Sequence, residues 1–127
     1  MRLFTSTLIT VSAVALTVPT AHAQQAAADS ARTRAVQTLK NDLRNYVTMQ
    51  ERYYQVHSTY AGVASQTLLQ PSAGVTFIVL SSSNTGHNAV AIHRDAPDLV
   101  CGIWVGRDPR PPLYDGAAEG VPTCRLP

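Results

Sequence analysis

The stretch that decides the fold is AVQTLKNDLRNYVTMQERYYQVHSTYAG, residues 35–62. Its apolar residues recur every three or four positions, the spacing of one face of an α-helix, with polar residues between them. No Pro or Gly interrupts residues 26–61. We predict a helix over residues 24–61, with about 30 well-formed residues and a length of roughly 45 Å. Its expected apolar face consists of Ala31, Ala35, Leu39, Leu43, Tyr46 and Tyr53.

Three short segments downstream have the composition of β-strands. They are VTFIVL (75–80), NAVAIHR (88–94), with Val90 and Ile92 on one face, and LVCGIWV (99–105). Polar loops separate them, and short loops between consecutive strands favour an antiparallel meander. We therefore predict a β-meander over 75–105.

The last segment, residues 106–127, is rich in Pro and is expected to be an irregular loop. Cys101 and Cys124 are the only two cysteines. In an exported chain an even count indicates a disulfide, and the alternative is two free buried thiols. The bridge would tie the loop to the third strand. The predicted class is α+β: a long N-terminal helix packed on a small antiparallel sheet of three or four strands, with a disulfide-tied C-terminal loop.

The N-terminal residues have the pattern of an export signal. A basic start, an apolar run over 3–18 and the small residues around His22 predict cleavage after Ala23. The alternative is a retained membrane helix, for which the run is short. Cleavage leaves about 104 of the 127 residues as one domain, 24–127, with no stable membrane span. The expected location is the periplasm or the medium.

Charge excludes one class of partner. The formal net charge of +2 is small, and the chain has no basic run of the kind that nucleic-acid surfaces need. We expect no nucleic-acid partner and no cofactor.

The chain resembles the type IV pilin and pseudopilin family. The resemblance is carried by the helix segments DLRN (42–45) and QE (50–51), by Tyr53, Tyr54 and His57, and by TYA (59–61). It implies a helix, a β-meander and a Cys pair that closes a C-terminal loop, the position of Cys101 and Cys124. One departure concerns assembly. Pilins keep an apolar helix behind a short basic leader, whereas no Gly precedes Phe4 here and no Glu occurs in the apolar segment.

The candidate site is a cluster of rings at the end of the helix, formed by Tyr53, Tyr54, His57 and Tyr60. Rings with polar tips usually serve helix–sheet packing, and a ligand or interaction patch is the alternative. Trp104 is expected in the core, or on an interaction surface if one sheet face is open.

No metal site is expected. His87 and His93 form only a weak pair, because no carboxylate pattern accompanies them. Asp95, Asp98 and Asp108 lack the spacing of a calcium loop and are interpreted as solvated turn residues.

Two functions remain from different classes. The first is a non-catalytic, exported pilin-like protein that acts through protein–protein contact, as an accessory of a type IV pilus or type II secretion system. The alternative is a periplasmic small-ligand or metal-binding module that uses the Tyr/His cluster. An enzyme is not expected, because no nucleophile motif or phosphate loop is present.

Overall fold

The computed structural model describes residues 20–62 and 69–126. Most of the predicted export signal lies outside these residues. A single α-helix, α1, spans Ala21–His57. It ends four residues before the predicted limit at 61, because Ser58 takes a left-handed conformation (φ 55°) and its N–H donates to the carbonyl of Tyr54. Gly62 lies outside the helix and does not terminate it.

Four strands form one antiparallel sheet in the order of the chain: β1 Val75–Ser82, β2 Gly86–His93, β3 Ala96–Gly106 and β4 Thr123–Arg125. The predicted α+β class and meander are confirmed. The prediction of a wholly irregular segment over 106–127 is wrong, since the segment contains β4 and a short 3-10 helix, Pro112–Tyr114.

The disulfide explains why the C-terminal segment forms a fourth strand. Cys101 and Cys124 are bonded, and they are also direct cross-strand partners of β3 and β4, with Cα atoms 3.9 Å apart. The bridge therefore holds the C-terminal segment in the register at which it pairs with β3. Three residues are too few to give a recognisable strand pattern, so the pairing depends on this tertiary contact.

Helix α1 packs across β2 and β3 and buries one face of the sheet. Ala89 and Ala91 of β2 lie on this inner face, beneath the helix, and neither is exposed. Small residues let the helix approach the sheet closely, and larger side chains from the helix and the other strands fill the remaining space. The main contributors are Leu39, Leu43, Tyr46, Val79, Leu99, Cys101 and Ile103.

The outer face of the sheet is partly covered by the C-terminal segment. Tyr114 from the 3-10 helix is buried there, and its hydroxyl donates to the backbone carbonyl of Ala89 at 2.7 Å. A Cβ atom on Gly102 would lie 2.6 Å from the Tyr114 ring, so only glycine fits at this position of β3. Ile78 and Leu80 of β1, beyond the reach of this segment, stay 44% and 46% exposed.

Two polar contacts outside the core fix the helix along the sheet. Asp42 accepts hydrogen bonds from the N–H and the hydroxyl of Ser72, both at 2.8 Å. Arg32 pairs with Asp98 at 2.6 Å, a contact that lowers the pKa of the Asp98 carboxyl group. Residues 20–30 precede these contacts and are all exposed. Among the described residues, no helix combines the length and apolar character that crossing a membrane requires.

Candidate functional site

The predicted ring cluster divides into two pairs. Tyr53 and His57, one helical turn apart, stack with ring centroids 4.0 Å apart. His57 is exposed and Tyr53 is half-buried. Tyr54 instead packs against Tyr60, with centroids 4.7 Å apart. The first pair therefore forms a small aromatic surface on the helix, and the second closes over the interior.

Tyr60 lies on the segment that follows the helix and connects that segment to the sheet. Its backbone N–H donates to the carbonyl of Ser83 at 3.0 Å. Its hydroxyl donates to Glu51 at 3.3 Å. Burial, followed by the nearby Glu51 carboxylate, raises the pKa of the Tyr60 hydroxyl. These contacts place the Tyr60 ring over the β1–β2 hairpin.

A buried histidine, His87, lies beneath this ring. It is the second residue of β2, lies on the inner face and has no exposed surface. Its ring meets Tyr60 with centroids 4.5 Å apart and Tyr46 with centroids 5.1 Å apart, both in edge-to-face geometry. Burial lowers the pKa of His87 to about 4, and the more distant Asp108 carboxylate opposes this only in part.

The buried polar groups in and around His87 differ in whether they have hydrogen-bond partners. The Gln50 amide donates to the Tyr46 hydroxyl at 3.0 Å and to the carbonyl of Ala61 at 2.9 Å, and its oxygen accepts the Ala61 N–H at 2.7 Å. By contrast, neither imidazole nitrogen of His87 has a hydrogen-bond partner among the described residues, and the Ser82 hydroxyl also has none. Ser82 is the direct cross-strand neighbour of His87.

The interpretation of Asp108 as a solvated turn residue is wrong. Its carboxylate is 9% exposed and accepts from the hydroxyls of Ser83 at 2.5 Å and Thr85 at 3.2 Å. Asp108 thus fastens the start of the C-terminal segment to the β1–β2 turn. Asp95 is exposed in the turn between β2 and β3, as expected. Asp98 is also exposed, but it lies in β3 and pairs with Arg32, so its interpretation as a solvated turn residue is wrong.

An open cleft of about 470 Å³ lies within the C-terminal segment. Arg107, Arg110 and Asp115 are among its lining residues. The Arg110 guanidinium lies 3.7 Å from the centre of the Trp104 ring, so Trp104 is neither a core residue nor an open surface. It is half-buried beneath an arginine.

The two histidines weighed as a metal pair have separate surroundings. They lie six residues apart on β2, roughly 20 Å at the rise of a strand. His93 Nδ1 accepts the backbone N–H of Asp95 at 3.1 Å, far from the rings around His87. Within 20–62 and 69–126, no three His, Cys, Asp or Glu side chains are grouped so that they could hold a metal ion.

From the sequence, Tyr54 and Tyr60 were identified, but His87 was considered only as a weak metal pair with His93, not as part of this cluster. The available signal was the alternation along β2, which puts His87 in phase with Ala89 and Ala91. Val90 and Ile92 share the other face. Because these side chains are larger, the sequence pattern indicates their face, rather than the face with the alanines, as the buried one.

No protein-family model matches the chain, and a search of curated proteins returned no significant match. The site therefore has to be interpreted from its own geometry.

Proposed function

We propose that the chain is an exported, non-catalytic, pilin-like protein that acts by binding another protein, as an accessory of a type IV pilus or type II secretion system. The observation that carries the proposal is the architecture. One long helix lies across a consecutive four-stranded meander, and Cys101–Cys124 ties the C-terminal segment to β3. The resemblance in residues 35–62 implies this combination of elements.

Two further features support the proposal. A disulfide is typical of proteins that fold outside the reducing cytosol. Residues 24–30, which remain after the predicted cleavage, continue the helix beyond its contacts with the sheet. All of them are exposed, and they add roughly 10 Å at 1.5 Å per residue. A projecting helix end offers a surface for a second protein without disturbing the core.

The proposal includes no catalytic step. His87 and Asp108 are the titratable groups brought toward each other near the hairpin, and both are buried. Oδ1 of the buried Asp108 carboxylate accepts from two hydroxyl groups, and the imidazole has no exposed surface for a substrate to reach. A general acid or base must come within hydrogen-bond reach of its substrate.

The alternative ligand-binding module has less support. It predicts a concave site beside Tyr53 and His57, within the Tyr/His cluster at the end of the helix. Tyr54 and Tyr60 turn inward, whereas Tyr53 and His57 remain as a single stacked pair at the surface.

Site-specific crosslinking in the native host tests the proposal. A photoreactive residue at Gln25 samples the projecting helix end, and one at Val56, which is 77% exposed, samples the other end of the helix. Pro97, exposed at the start of β3, is the control position. We expect one helix position to crosslink to a pilus or secretion-system component and Pro97 not to do so. Equal adducts from all three positions, or none, would contradict the proposal.

A further inference from the structure

The surroundings of the buried His87 side chain favour the neutral imidazole over the protonated one. A neutral imidazole has one N–H donor and one acceptor nitrogen, and neither has a partner among the described residues. The ring is held instead by aromatic contacts with Tyr46 and Tyr60. These contacts come from two elements, helix α1 and the segment 58–62 that follows it.

The segment 58–62 is the part of this enclosure that can most readily move. It has no regular secondary structure beyond the turn at Ser58. Beyond that turn, four hydrogen bonds hold it to the rest of the described structure: Tyr60 N–H to Ser83, the Tyr60 hydroxyl to Glu51, and the two between Gln50 and Ala61. In contrast, Tyr46 belongs to the best-packed part of the helix and is 2% exposed. For the His87 ring to reach water, it must therefore displace Tyr60 rather than Tyr46.

A protonated His87 would be compensated only in part. The Asp108 carboxylate, which faces it from the C-terminal segment, favours the charged imidazole, but it accepts two hydroxyl hydrogen bonds on Oδ1 and none from the imidazole. Glu51 on the helix accepts from the Tyr60 hydroxyl. The cross-strand neighbour on β3 is Val105, which is apolar. Ring faces attract a cation, but they do not supply the acceptors that two N–H groups require.

We propose that His87 is a proton-operated latch on the segment 58–62. The neutral imidazole packs under Tyr60 and keeps the segment on the hairpin. Protonation drives the ring toward water, displaces Tyr60, and breaks the hydrogen bonds of Tyr60 and Ala61 while the sheet stays intact. This inference is independent of the proposed function.

Opening the latch would change the surface of the protein. The facing rings of Tyr54 and Tyr60 would separate, and the Tyr46 ring beneath them would meet solvent. An acidic environment would thus expose an aromatic surface at the C-terminal end of the helix, beside the pair formed by Tyr53 and His57. Exposed aromatic groups are favoured contact residues in protein interfaces.

Amide hydrogen exchange tests the latch. The backbone amides of Tyr60 and Ala61 are measured between pH 7 and 4.5, with rates corrected for the intrinsic effect of pH, and the His87 ring is titrated by NMR in the same samples. A folded pKa of about 4, against about 6.5 for a solvated imidazole, predicts that opening becomes at least tenfold more frequent over this range. Amides in the centres of β2 and β3 should keep their protection.

Variants separate His87 from the other acid-sensitive groups. His87→Phe retains a ring that cannot be protonated, and His87→Gln serves if the Phe variant does not fold. In either, protection at Tyr60 and Ala61 should no longer depend on pH. His57→Phe, a change at the exposed histidine, should behave as the wild type does. The proposal is overturned if His87 titrates near pH 6.5 in the closed protein, or if the loss of protection is the same in the His87 variants.

Discussion

Gln50 is a single buried side chain that organises the end of the helix. Its amide spans the gap between α1 and the segment after it, and it satisfies both the N–H and the carbonyl of Ala61. It also donates to the hydroxyl of Tyr46, a group whose pKa burial raises to about 12. A buried polar group without a hydrogen-bond partner raises the free energy of the folded state. The Gln50 amide supplies a partner for three such groups: the N–H and the carbonyl of Ala61 and the hydroxyl of Tyr46.

Replacing Gln50 should therefore lower the free energy of unfolding by more than the loss of its side-chain volume alone would. We expect Gln50→Ala to lower the free energy of unfolding by about 2 kcal/mol, because the Ala61 backbone groups are left unpaired. Urea unfolding measures the change. Gln55→Ala, at an exposed position near the end of the same helix, is the matched control and should change stability by less than about 0.5 kcal/mol. Equal effects of the two substitutions would contradict this role.

His87 should make global stability depend on pH with a definite sign. Its pKa is about 6.5 in the unfolded chain and about 4 in the folded protein. Above pH 6.5 both states are neutral, and the full stability is present. As the pH falls from 6.5 to 4, the proton is taken up by the unfolded chain and by the form in which the segment 58–62 has opened, and not by the closed protein. The free energy of unfolding of the closed protein therefore decreases, by at most about 3 kcal/mol.

Comparing variants isolates this effect from that of the carboxylates. Urea unfolding at several pH values should give a shallower decline for His87→Phe than for the wild type. His57→Gln, which changes an exposed histidine, should leave the decline unchanged. A decline of the same size in His87→Phe would show that other groups are responsible.

At the scale of elements, the helix and strands were predictable where the pattern is long. The apolar spacing over 31–53 and the β-branched runs at 75–80 and 99–105 each repeat often enough to identify an element. The helix end was not predictable, because it depends on the left-handed turn at Ser58, a residue type that sequence patterns do not associate with helix ends. Strand β4 was missed because its three residues pair only where the disulfide holds them.

The surroundings of the buried His87 were harder to predict than the positions of the Tyr54 and Tyr60 rings. An irregularity in register between Val79 and Ser81 puts Ser82 opposite His87, and no simple alternation of strand residues indicates it. The burial of His87 also depends on the path of residues 58–62 over the hairpin. These are tertiary relations between segments, whereas the rings of Tyr54 and Tyr60 were visible within one segment of sequence.

The disulfide should be the strongest single constraint on the elements after the helix. Cys101 and Cys124 are 23 positions apart, and closing a loop of this size stabilises a folded chain by about 3 kcal/mol in chain-entropy models. We expect the double variant Cys101→Ala, Cys124→Ala to lose about this much in urea unfolding and to lose amide protection in β4. Reduced wild-type protein is the control and should match the variant. Retention of full stability by both would contradict this account.

At the scale of the whole molecule, the sheet, the helix and the C-terminal segment form three layers with different roles. The helix covers the inner face, and the segment around Tyr114 covers part of the outer face. The exposed end of the helix at residues 24–30 precedes its contacts with the sheet. We assign this end to a partner protein and treat residues 1–23 as an export signal that is removed.

The most direct test is the intact mass and N-terminal sequence of the protein recovered from its native host, combined with cell fractionation. Our account predicts a chain that begins at Gln24, carries the mass of the oxidised cysteine pair, and is recovered outside the cytoplasm without membranes. A chain that keeps residues 3–18 and sediments with membranes or filaments would contradict it. Such a protein would polymerise or anchor through its apolar helix, and the proposal of a released pilin-like domain would be wrong.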